Sequence, residues 1–139
     1  MSAFALTDCR FEINSVVMSS FTTGVTLPME FEALEDTAFG DTARSRKAGL
    51  EDSTLAAQFN QDFAASATDV TLYTAYATRA PVVVKVRPTT SAIGATNPEY
   101  VASYLPNQHN PFGNQVGELA TTQISWPLSD SDGIARNTS

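Results

Sequence analysis

DTAFGDTARSRKAGLED, residues 36–52, lies between two segments that alternate like β-strands. Three of the chain's eight Lys/Arg residues, Arg44, Arg46 and Lys47, fall within four positions of it. Acidic residues bracket them, and Gly40 and Gly49 punctuate the run beside the apolar Phe39 and Leu50. A connection this long in a small domain is either functional or disordered. This one is not low-complexity and carries apolar anchors, which argues for function. The expectation is a long, cationic, anchored loop over 36–52.

Upstream, Val25–Leu34 sets Leu27, Met29, Phe31 and Ala33 on one face and Glu30 and Glu32 on the other, the period of a strand. Pro28 within it points to an edge or a bulge. Downstream, Thr54–Phe63 alternates again, with Leu55, Ala57, Phe59 and Phe63 on one side. Cys9–Met18 reads as an earlier strand with Phe11, Ile13, Ser15 and Val17 sharing a face, and Ser19–Gly24 as a turn. Val82–Arg87 opens on a continuous apolar run, as a central strand does. Tyr100–Leu105 and Val116–Leu128 complete the strands, with loops at Pro88–Pro98 and Pro106–Asn114. The period changes once. Ser66 and Asp69 fit a helix-start box, and Val70, Tyr73 and Ala77 recur at helical spacing, so the spacing predicts one helix within 66–78, its body from Ala67. Residues 1–8 read as an N-terminal arm docked by Phe4 and Leu6, and Ser129–Ser139 as a polar tail that ends the fold.

Six or seven strands and one inserted helix predict a mainly β chain. The expected form is an antiparallel β-sandwich, or flattened barrel, flanked by one α-helix. At 139 residues the prior is a single domain, 1–139, large enough to bury a core without staples. Charged residues make up 17%, below the usual quarter. Ser and Thr, at 30 positions, take their place, which suits strands better than a charged helical bundle.

The net charge of −7 is unevenly placed: residues 1–69 carry eleven Asp/Glu against four Lys/Arg, and residues 70–139 carry four of each. That leaves no basic footprint for sequence-specific DNA binding. It does not exclude a protein that must let DNA pass without sticking. Cys9 is the only cysteine, so no internal disulfide can form. No apolar run approaches the ~20 residues of a membrane span, and the first residues do not read as a signal peptide. No membrane anchor and a cytosolic-type compartment are expected.

Nothing in the sequence assembles an active site. There is no G-x-S-x-G element and no phosphate-binding loop. Glu30 and Glu32 would stand ~6.5–7 Å apart on one strand face. Two carboxylates on the same strand cannot flank a bond from opposite sides as a glycosidase pair does. His109 has no second His or Cys near it to make a metal site, and Cys9 reads as a small hydrophobe. Tyr100, Tyr104 and Trp126 are the only aromatics that could form a glycan-binding platform.

Phe39-Gly40-Asp41-Thr42-Ala43-Arg44 followed by Ala48-Gly49-Leu50-Glu51-Asp52 resembles the FGD…R…GL-D signature of bacteriophage tail tube proteins. Phe59-Asn60-Gln61-Asp62-Phe63 stands where that family carries its next strand end. One departure is Ala48, where members often have Pro. The resemblance implies a β-sandwich subunit that forms hexameric rings, stacked helically into a hollow tube for the genome. The 36–52 loop would reach the adjacent ring, with Asp41, Arg44, Arg46 and Lys47 as polar contacts and Phe39 and Leu50 as apolar ones. Glu30 and Glu32 would face the lumen. Implied partners are further copies of the chain and other tail proteins (tape measure, terminator, tail tip). Viral DNA would be non-specific cargo. The implied location is the virion tail, after assembly in host cytoplasm, with no cofactor, metal or catalysis. The alternative is a tail-tip or surface β-sandwich module that recognises a glycan or host receptor.

Physical arguments point the same way. Ordering a loop costs about 1–2 kcal/mol per residue, which a partner surface can offset. A basic cluster on an acidic chain makes self-association head to tail complementary, and such contacts build rings or filaments.

Overall fold

The computed structural model describes residues 5–112 and 114–139. Phe4, expected to dock the N-terminal arm, lies outside them. Along the chain the elements are β1 (Arg10–Ile13), β2 (Val16–Val17), β3 (Thr22–Thr26), β4 (Glu30–Glu35), β5 (Arg46–Asp52), β6 (Thr54–Asn60), α1 (Thr68–Thr78), β7 (Val82–Arg87), β8 (Glu99–Tyr104), β9 (Thr121–Pro127) and β10 (Ala135–Asn137). One sheet has the order β10-β8-β7-β1-β2, a second the order β3-β6-β9, and β4 and β5 form a separate two-stranded sheet. Every strand pairing is antiparallel. The expected mainly β, antiparallel architecture with one helix is what the chain adopts.

The two larger sheets share one core. Leu55, Ala57 and Phe59 of β6 with Ile124 and Trp126 of β9 meet Phe11 and Ile13 of β1, Val82 and Val84 of β7, and Ala102 and Tyr104 of β8. The Phe11 and Phe59 rings stack across the gap with centroids 5.9 Å apart. Each large apolar side chain buried this way contributes roughly 1.5–3 kcal/mol. Leu72 and Ala75 of α1 close one side of the cluster. As expected of VVVKVR, β7 is the central strand of its sheet.

Several boundaries differ from the expected ones, each for a local reason. Cys9–Met18 is not one strand: Asn14 and Ser15 adopt φ of 51° and 71°, and the chain reverses into β2. Two consecutive positive-φ residues are the turn geometry that matches strand twist. Phe11 and Ile13 therefore point inward while Val17 stays exposed. The turn expected at Ser19–Gly24 gives way to β3 from Thr22. Val25–Leu34 divides at Leu27–Met29, so β3 belongs to the second sheet and β4 leaves it. Pro28 sits at that break, its carbonyl accepting a bond from Ser53 Oγ at 2.6 Å.

The helix-start box does not form. Ala67 is the N-cap without a side-chain bond, and Ser66 has φ of 61°. Thr68 Oγ1 instead donates to the Asn60 carbonyl at 2.9 Å, and the Asp69 amide to the Asp62 carbonyl at 3.0 Å. With its hydroxyl satisfied, Thr68 is buried alongside Leu72 and Ala75, and Val70, Tyr73 and Ala77 face solvent. A threonine-rich helix offers little apolar contrast from which to choose the inner face.

Val116–Ala120 is not strand; β9 begins at Thr121. Residues 106–112 and 114–120 instead bond back to β9. Gln108 Nε2 donates to Ser125 O at 3.1 Å, Thr122 Oγ1 to Asn110 O at 2.7 Å, and the Thr121 amide to Asn114 Oδ1 at 2.9 Å. The expected polar tail also contains structure: β10 pairs with β8, Ala135 opposite Val101 and Asn137 opposite Glu99.

Candidate assembly interface

The stretch expected as a loop over 36–52 is mostly hairpin. Its C-terminal part is β5, paired with β4 from Glu30 opposite Asp52 to Glu35 opposite Arg46. Only residues 36–45 connect the strands, and they are closed by the Asp36 amide bonding Ser45 O at 2.9 Å and the Ser45 amide bonding Thr37 Oγ1 at 2.9 Å. At the tip the Asp41 carboxylate accepts the Ala38 amide at 2.7 Å, and Gly40 takes φ of 93°. The strand in RKAGLED was hidden by a bulge. Pairing shifts between Phe31 and Ala33, so Gly49 and Leu50 together oppose Glu32 and the period-two signal is lost. A Cβ on Gly49 would lie 3.0 Å from both the Cβ and the carbonyl oxygen of Glu32, which is why glycine stands there.

Among the described residues, nothing covers the hairpin. Every residue of β4 is exposed, and in β5 only Gly49 is partly shielded. Phe31 is 62% exposed, Leu50 85%, and Phe39 at the tip entirely. Both outer strand edges are unpaired. Exposed apolar strands with open edges are templates for pairing with another chain.

The basic residues are less free than the sequence implied. Arg44 reaches Glu35 at 2.7 Å and Lys47 lies 3.8 Å from Asp36. Arg46 makes no ion pair among the described residues. Such exposed pairs are worth about 0–1 kcal/mol and exchange readily for better partners. Glu30 and Glu32 are exposed. Glu30 faces Asp52 across the pair, a like-charge juxtaposition that weakens an isolated hairpin.

What holds the hairpin is its root, which the sequence did not reveal. Ser53 Oγ donates to Pro28 O and lies 2.9 Å from the buried Tyr104 hydroxyl of the opposite sheet. Burial pushes the Tyr104 phenol pKa up; the Ser53 bond pulls it down and the nearby Glu51 charge adds a further upward push. Glu51 Oε1 accepts the Ile134 amide at 2.7 Å. Gly133, at φ of 78°, has a Cβ position only 2.0 Å from that oxygen, so a side chain there would displace it. The hairpin is thus tied to both sheets and to the C-terminal segment.

A second exposed apolar group lies at the other end of β6. Phe63 and Phe112 stack with centroids 5.6 Å apart, and Val116 and Leu119 project from the turn that precedes β9. His109 is tucked beside α1, 3.5 Å from Asp69 and next to the rings of Tyr73 and Tyr76. Of the aromatics that a glycan platform would need, Tyr104 and Trp126 are core residues, and Tyr100 lies under the Arg136 guanidinium.

No family model matches the sequence, and no curated protein does. The fold does have solved counterparts. It is similar to a chain in the virion of a native gene transfer agent particle, with a TM-score of 0.74 over 97% of this chain and 99% of that one, at 7% identity. It is also similar to a chain in the tail of an empty gene transfer agent particle of C6 symmetry, with a TM-score of 0.63 over 86% of this chain and 82% of that one, again at 7% identity. At that identity the likeness is one of fold.

Proposed function

We propose that the protein is a structural, non-catalytic subunit of a phage-type tail, whose copies form hexameric rings stacked into a hollow tube that conducts DNA. The observation that carries this reading is the uncovered β4–β5 hairpin. It is bonded at its root through Ser53 and Glu51, exposes Phe31, Leu34, Phe39 and Leu50 among its charged residues, and is open at both edges among the described residues. A surface of that kind is a site at which other copies can pair and pack. The fold's likeness to a chain from a C6-symmetric tail supports a sixfold ring. The FGD…R…GL-D run, which carries the tail tube resemblance, lies on this hairpin. Phe39, Asp41, Arg44, Arg46, Lys47 and Leu50 are then contacts between rings. Glu30 and Glu32, with Asp52 beside them, give the lumen a negative wall along which a polyanion slides without binding. Other tail proteins would cap the tube, and the location is the virion tail. Against the glycan-binding reading, Tyr104 and Trp126 lie in the core and cannot form a surface platform.

Negative-stain electron microscopy of the concentrated full chain tests this. Rings or hollow tubes of sixfold symmetry are the expected result. Monodisperse monomers at every concentration would remove the reading. In tubes, changing Glu30 and Glu32 together to Lys should leave assembly intact and slow DNA release; unchanged release would take the lumen role away.

A further inference from the structure

Two exposed apolar regions of the described residues lie at opposite ends of the same strand. The hairpin joins the second sheet where β3 ends and β6 begins, at Thr26 and Thr54. Phe63, Phe112, Val116 and Leu119 lie where β6 ends and β9 begins, at Asn60 and Thr121. Seven residues of β6 separate them, about 20 Å of strand.

Their charges are complementary. Residues 36–47, the hairpin tip, contain Arg44, Arg46 and Lys47 against Asp36 and Asp41. The far end, residues 61–78 and 106–120, contains Asp62, Asp69 and Glu118 and no Lys or Arg. Its one histidine, His109, is already beside Asp69. The far end is also built rather than loose. Gln61 Nε2 donates to Pro111 O at 2.9 Å, the Gln115 amide to Glu118 Oε1 at 2.6 Å, and Gly117 turns at φ of 92°. These bonds hold Val116 outward, fully exposed, which is an odd use of ordered chain unless something covers it.

We propose that this acidic, apolar end is the receptor for the hairpin tip of a second copy. Phe39 packs against the Phe63–Phe112 pair and Val116, and Arg44 and Arg46 face Asp62 and Glu118. The contact uses two different surfaces, so it is heterologous; between stacked rings, where it does not close on itself, it repeats along the tube and fixes the direction in which copies add. The proposal rests on the stacked-ring reading and names the partner surface that reading leaves open.

Two experiments on the full chain test it. Reversing the tip with Arg44→Glu and Arg46→Glu is expected to raise the concentration needed for tubes by about tenfold or more. Adding Asp62→Lys and Glu118→Lys to that variant is expected to restore most of the loss. If wild-type tubes form and the far-end changes neither impair assembly alone nor rescue the tip reversal, the receptor assignment is wrong and the tube reading survives. The second experiment places Phe39→Cys and Val116→Cys together in a Cys9→Ala background and treats tubes with a short bis-maleimide. A ladder extending beyond dimers, with neither single cysteine giving more than monomer, supports the proposal. Tip-to-tip dimers from the Phe39→Cys variant alone overturn it. Wild-type protein that forms neither rings nor tubes removes the underlying reading instead.

Discussion

β4 and β6 have similar sequence patterns and opposite fates. In β6, Leu55, Ala57 and Phe59 alternate with polar residues and are buried. In β4, Glu30, Phe31, Glu32 and Ala33 alternate in the same way before Leu34 and Glu35 end the pattern, and all are exposed. The period of a strand identifies a face that wants covering; it does not say by what. For β6 the cover is the rest of the same chain. For β4 there is none among the described residues, and on the proposed reading other copies supply it.

The comparison is broken most sharply by removing the same ring from each strand. Phe59→Ala should cost the free subunit about 3–5 kcal/mol, because the site is sealed between two sheets and collapses poorly. Phe31→Ala should change the stability of the free subunit by less than about 0.5 kcal/mol, as a surface substitution does, and should impair tube formation. Urea unfolding of both variants below the assembly concentration measures the first difference, and microscopy the second. Equal destabilisation would mean that the hairpin is packed against the body in solution after all.

Next in size is the joint between the two regions. Ser53→Ala would leave the buried Tyr104 hydroxyl and the Pro28 carbonyl without their shared partner, at a cost of about 1–3 kcal/mol. If the root positions the hairpin, this variant should also lower assembly at concentrations where the folded fraction is unchanged. A stability loss with normal assembly would reduce Ser53 to a packing residue.

The sequence made one of these regions legible and blurred the other. Leu55–Phe59 and Val82–Arg87 were readable because their burial is arranged within the chain, so pattern and environment agree. The hairpin tip is legible from composition alone, because Phe39, Arg44, Arg46 and Lys47 cluster in an otherwise acidic half of the chain. The second strand of the hairpin was not legible, because the Gly49–Leu50 bulge erases the alternation. Its root was not either, since Ser53, Tyr104, Glu51 and Ile134 are brought together from distant positions by tertiary folding. The far end was misread for a related reason. Val116 and Leu119 look like strand residues, and only the bonds from Gln108 and Asn114 to β9 show that the edge there is already occupied by the preceding loop.

A smaller effect is expected at alkaline pH. The Tyr104 phenol has its pKa raised in the folded subunit relative to its ordinary value near 10. Above that ordinary value the unfolded chain releases the proton while the folded one keeps it, so the unfolded state binds fewer protons and stability falls as pH rises. Below it the term is constant. Thermal melts of the free subunit from pH 8 to 11 should show a decline beginning near pH 10, and Tyr104→Phe should make that decline shallower. An identical slope in the variant would place the alkaline loss elsewhere.

The smallest effect is expected where the sequence first drew attention. Arg44 and Glu35 form an exposed pair, their side chains 67% and 46% accessible, and such pairs contribute about 0–1 kcal/mol. Arg44→Ala should therefore leave the unfolding midpoint of the free subunit nearly unchanged. Its effect on assembly should be large by comparison and should shrink as salt is raised, because a contact between exposed charges on two copies is screened beyond about 8–10 Å at ordinary ionic strength. A variant that loses stability and assembly in proportion would show that Arg44 serves the hairpin itself. Loss of assembly alone would show that its bond to Glu35 is a resting state, exchanged for a partner when the next copy arrives.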